Sequence, residues 1–156
     1  MLVMNKVGEK NMKHYFGVIV DEKIIDILNK VYNNQKINIY EKIRLNILMS
    51  DYNPKKYNSI DFSDEVFRVL NYTKFISLFG KPVKKQEGFN YYGVTIIPYS
   101  SLKIIYESFL NLSKEEMDRL REINMDINEY NDLIQPIVNL LKKAYEDKQY
   151  IIHFGI

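Results

Sequence analysis

The spacing of apolar positions changes several times along the chain, and each change marks an element. His14 to Val20, written His-Tyr-Phe-Gly-Val-Ile-Val, is β-branched and aromatic and predicts a strand. Asp21 follows, placed to cap a helix in which Ile24, Ile25, Leu28 and Val31 recur at spacings of three and four, until Asn33-Asn34 stops the run. From Lys36 to Met49, the apolar residues Ile37, Ile39, Ile43, Leu45, Ile47 and Met49 all fall on odd positions, and only Glu41 breaks the row. A period of two predicts one long strand or a hairpin there. Ile39, Ile43 and Ile47 also fit a spacing of four, which makes a helix the competing reading.

Asp51 to Ile60, with Asn53-Pro54, reads as a loop. Asp61 or Ser63 then caps a helix whose apolar side is Val66, Val69, Leu70, Phe75, Ile76 and Phe79. Gly80 and Pro82 place its end near Phe79. A polar, lysine-bearing loop from Lys81 to Asn90 leads to a strand over Tyr91 to Ile97, bounded by Pro98. Ser100 or Ser101 is placed to cap the next helix, which carries Leu102, Ile105, Phe109 and Leu112. Tyr91-Tyr-Gly-Val-Thr-Ile echoes Tyr15-Phe-Gly-Val-Ile-Val, a strand-to-helix solution used twice rather than a repeat.

Ser113-Lys-Glu-Glu116 has capping-box spacing. A last helix carries Leu133, Ile134, Ile137, Val138, Leu141, Ala144 and Tyr145, with Pro136 in its first turn or at a kink. Tyr150 to Phe154 is a terminal strand. The order β-α-β-α-β-α-α-α-β predicts an α+β fold: a single layered domain over residues 1–156, with a small, mostly antiparallel or mixed sheet packed with about five helices.

Composition narrows the setting. The 156 residues are 46% apolar and 27% charged, ordinary for a globular chain and far from the disordered corner. With no cysteine there is neither a disulfide nor a thiolate nucleophile, and Met1 to Gly8 lacks the apolar run of a signal peptide. These features point to the cytoplasm and away from a membrane. The net charge of +2 is too small to argue for nucleic acid, but it is unevenly spread. Residues 1–90 carry 15 Lys+Arg against 10 Asp+Glu, a net of +5, while residues 91–156 carry 7 against 10, a net of −3.

The phosphate-loop, dinucleotide, nucleophile-elbow, zinc-protease and calcium-loop motifs are all missing, and no cofactor or metal is expected. His14 and His153 are the two histidines, both in predicted strands beside a Phe and a Gly. If the first and last strands pair, the imidazoles meet, and such a pair can act as general acid and base in metal-free hydrolysis. The plainer reading is two strand histidines held by hydrogen bonds. Asp61, Asp64 and Glu65 resemble an acidic metal cluster, but carboxylates at the start of a helix suit its dipole. Tyr91 and Tyr92 with Lys81, Lys84 and Lys85 make a candidate stacking and phosphate patch, against a solvated loop as the simpler reading.

Between Ser113 and Asp132 acidic residues outnumber basic ones by seven to three. Glu115, Glu116, Asp118, Glu122, Asp126 and Glu129 are therefore the candidate contacts for a basic protein partner. The functional expectation is a non-enzymatic interaction domain, in concrete form a bacterial immunity or antitoxin-type inhibitor. The alternatives are a small hydrolase or nuclease using His14 and His153, and then a nucleic-acid-binding module.

Overall fold

A computed structural model describes residues 12–71 and 74–156. The N-terminal stretch read for targeting lies outside them. The fold is α+β, as the element order predicts. Strands β1 (Lys13–Val18), β2 (Ile60–Ser63), β3 (Ile76–Phe79), β4 (Lys84–Glu87), β5 (Val94–Ile97) and β6 (Ile151–Phe154) form one antiparallel sheet in the order β2-β1-β6-β5-β3-β4. Six α-helices accompany it: α1 (Glu22–Tyr32), α2 (Ile39–Ser50), α3 (Asp64–Val69), α4 (Tyr99–Leu110), α5 (Lys114–Glu122) and α6 (Ile127–Glu146).

The central strands β5 and β6 are buried at every position, so the sheet is covered on both faces. Alternation along each strand divides the core. Phe16, Ile97 and Ile151 point to one side, against α3, α4 and α6, while Ile96, Ile152 and Phe154 point to the other, against α1 and α2.

The local start signals hold where a side chain closes them. Asp21 accepts from the amides of Lys23 and Ile24 at the start of α1, and Ser113 and Glu116 form the reciprocal capping box of α5. Ser100 and Ser101 do not cap α4. Pro98 occupies that position, Ser101 Oγ donates to Ile76 O, and Ser100 bonds the Tyr32 hydroxyl. Likewise Ser63 sits at the cap of α3 without a side-chain bond, and Asp61 lies in β2, paired with Lys13.

Further expectations are overturned. Lys36 to Met49 is not a strand or hairpin but mostly the helix α2, nucleated by a capping box in which Asn38 and Glu41 satisfy each other's amides. The helix proposed to end near Phe79 stops at Val69, and Ile76–Phe79 is a strand; positions 72 and 73 between them lie outside the described residues. Gly80, with φ +103°, turns the β3–β4 hairpin rather than closing a helix. Part of the Lys81–Asn90 loop is the edge strand β4, polar because one side of it faces no neighbour. Pro136 falls ten residues into α6, well past its first turn.

Candidate functional site

Strand pairing decides where the histidines meet. β1 runs antiparallel to β6 with Phe16 opposite His153, and antiparallel to β2 with His14 opposite Phe62. His14 Nδ1 comes to 2.9 Å from His153 Nε2, and neither residue is exposed. Asp64, the first residue of α3, is also fully buried, and its Oδ1 lies 2.7 Å from His14 Nε2. The Tyr91 hydroxyl donates to that same oxygen, and Arg68 Nε reaches Oδ2 at 3.2 Å from the half-exposed side. The four-residue chain is therefore Tyr91–Asp64–His14–His153.

Donor bookkeeping assigns the protons. A carboxylate only accepts, so His14 Nε2 carries its hydrogen and the neutral ring offers Nδ1 to the Nε2–H of His153. His153 Nδ1 is then a buried lone pair with no hydrogen-bond partner among the described residues. The reverse arrangement would bury an unsatisfied N–H instead, which costs more. Burial pushes both imidazoles below their usual range; Asp64 partly opposes this at His14, while His14 adds to it at His153. Burial, followed by the bond to Asp64, drives the Tyr91 hydroxyl far up.

Aromatic rings enclose the pair. Phe67 stacks on His14 with centroids 3.8 Å apart, and Phe89 and Phe16 lie 4.7 Å and 5.0 Å from His153. Both imidazoles are fully buried in this structure, whereas general acid–base catalysis needs a substrate within hydrogen-bond reach of the ring. The hydrogen-bond chain ties β1, β6, α3 and the loop that carries Tyr91 together.

The acidic residues of α5 and α6 are largely committed locally. Glu116 departs from the surface reading: it is 5% exposed, accepts the Ser113 amide in the capping box and accepts the Asn71 amide with its second oxygen. Glu115 pairs with Arg119, Asp118 with Arg121, and Asp126 caps α6 by accepting the Glu129 amide. Glu122 and Glu129 are exposed. Tyr91, engaged with Asp64, stacks edge-on with Tyr92, and the lysines of the neighbouring hairpin line a different cleft, described below. Among the described residues no group of three or more His, Asp or Glu is placed to hold a metal, and no helix is long and apolar enough to cross a membrane.

The feature that sequence reasoning missed is the outer side of α2. This helix buries Leu45 and Leu48 against the sheet, yet Ile39, Ile43 and Ile47 point to solvent at 63%, 48% and 63% exposure, with Tyr40 beside them at 77%. Through Ile47 the stripe runs into a groove of about 510 Å³ walled by Ile19, Val20, Ile24, Leu48 and Tyr57. Lys42 and Arg44 flank the stripe as exposed cations, whereas Glu41 is turned inward and paired with Lys30 at 2.8 Å. The signal was present in the spacing of four through Ile39, Ile43 and Ile47, but it marks the face away from the core.

Comparison with protein-family models, with curated proteins and with solved structures returned no match. Chemistry and geometry carry the functional reading.

Proposed function

We propose that this chain is a protein-interaction domain whose docking face is the outward side of α2 and the groove it enters. The observation that carries the proposal is that α2 is apolar on both faces while only one is covered. A helix with apolar stripes on two sides buries both only when it lies between two layers. The isoleucines are about half exposed, so each one that a partner covers contributes roughly half of the 1.5–3 kcal/mol of a full burial, which the costs of association then offset in part.

The occupant is a different protein, presenting an apolar helix or ridge rimmed by carboxylates. Charge decides against a second copy of this chain. When two α2 helices pair antiparallel, Lys42 meets Lys42 and Arg44 meets Arg44; when they pair parallel, Lys42 meets Arg44. Either way cations face cations, which disfavours the pair. An acidic rim on the partner converts the same residues into steering and specificity contacts.

A photo-crosslinking residue placed at position 43 tests this in the native cell. The expected product is a single heterologous protein crosslinked through an apolar segment flanked by Asp or Glu. A crosslink to a second copy of the chain overturns the choice of occupant, and no crosslink overturns the docking face.

A further inference from the structure

A second cleft, on the other flank of α2, lies between the end of α1, α2 and the β3–β4 turn. We propose that it binds a small phosphate-bearing ligand of mononucleotide size. Its volume is about 600 Å³, within the range of small-molecule sites. Lys42 comes from α2, and Lys81, Lys84 and Lys85 come from the hairpin, so the lysines that line the cleft arise from separate elements, with Lys84 and Lys85 facing opposite sides of the sheet as successive strand residues. No carboxylate lines it.

Among the described residues none of these four ammonium groups has an ion-pair partner, although Lys13, Lys30 and Lys103 elsewhere on the molecule do. Lys85 instead lies over the Tyr32 ring, 5.1 Å from its centroid. Lysines without carboxylate partners around one concavity focus a positive potential, which a phosphate relieves. The remaining walls define the rest of the ligand. Val31, Ile37, Leu45 and Val83 give an apolar surface for a ring, while Asn46 and Ser50 offer hydrogen-bonding groups beside it. A single half-open cleft favours a small molecule over a nucleic-acid strand, which needs a groove tracking several successive phosphates.

The site shares Lys42 with the rim of the docking face but none of its apolar residues, and calorimetric titration of the full chain tests it with AMP, ATP, inorganic pyrophosphate, adenosine and a single-stranded 12-mer. One ATP or AMP per chain is expected, with adenosine at least roughly tenfold weaker. The Lys42→Gln/Lys81→Gln variant is expected to weaken ATP by roughly a hundredfold, at about tenfold per charged contact, with an unchanged unfolding midpoint. Lys55→Gln/Lys56→Gln, outside the cleft, and Ile43→Glu, on the docking face, are expected to leave ATP affinity as it was. Failure of ATP, AMP and pyrophosphate all to bind saturably overturns the proposal. So does binding of the 12-mer alone, or equal loss of affinity in the Lys55/Lys56 control.

Discussion

His14 donates nothing to His153: it accepts, through Nδ1 at 2.9 Å, the hydrogen that His153 Nε2 carries across the β1–β6 pair, because Asp64 claims the hydrogen on its own Nε2. Both rings are consequently neutral and sealed, and this gives the fold a pH dependence of definite sign. In the unfolded chain each imidazole titrates near 6.5, and in the folded chain both titrate lower. Below 6.5 the unfolded state binds more protons. The stability these groups contribute is therefore complete above that pH and is lost as pH falls toward the folded values, at up to about 1.4 kcal/mol per unit for each histidine. Urea unfolding between pH 7.5 and 5.5 measures the slope, and His153→Phe, which suits the surrounding phenylalanines, is expected to remove roughly half of it. A flat profile in the unmodified protein contradicts the assignment.

Asp64 is expected to matter far more than its ion-pair partner. Asp64→Ala strands the His14 Nε2–H in a buried space and takes its acceptor from the partly buried Tyr91 hydroxyl, at about 2–3 kcal/mol together. Arg68→Ala removes a side chain that is 52% exposed, and is expected to change stability by less than about 1 kcal/mol. Chemical denaturation of the two variants checks the contrast, and equal losses would mean that the salt bridge, not the hydrogen-bond chain, holds this corner.

Glu116 is expected to behave as a structural residue. Glu116→Ala leaves the Ser113 and Asn71 amides without their acceptor and costs about 2 kcal/mol. Glu122→Ala, on the same helix but exposed, is expected to stay within about 0.5 kcal/mol. Thermal unfolding midpoints separate the two.

Gly155 holds the terminal strand close to the loop that carries Tyr91. A Cβ there would stand 2.0 Å from Tyr91 O, and the Gly155 amide donates to Gly93 O at 2.8 Å. Gly155→Ala must push that backbone aside and disturb the Tyr91–Asp64 bond with it, for about 2–3 kcal/mol. The shift is read from the NMR resonances of the His14 and His153 rings, which are expected to move although neither residue is altered.

Elements whose signals are local were legible in the sequence. β1, β5 and β6 announce themselves by β-branched and aromatic runs, and α1 and α5 by caps that close within three residues. α2 was misread because a helix with apolar residues on both sides loses its one-sided period, and its odd-numbered isoleucines then imitate a strand. β3 was misread because a glycine at positive φ serves a hairpin as well as a helix end. Leu78, taken into the sheet beside Ile96, had no local mark of that partner.

The histidine pair was half legible. Its two members were visible, and their meeting was conditional on the first and last strands pairing, as they do. Asp64 was visible only as a carboxylate at a helix start. Its partner lies fifty residues away and is set by the β1–β2 register, which no local pattern encodes.

The docking role of α2 is tested most directly by titrating the protein crosslinked at position 43, once purified, against the unmodified chain and against Ile43→Glu/Ile47→Glu. Saturable 1:1 binding that the double variant weakens by roughly a hundredfold or more, with its unfolding midpoint unchanged or raised, is the expected result. Equal affinity for the two chains would contradict the proposal and return the search for a partner surface to the exposed carboxylates Glu122 and Glu129.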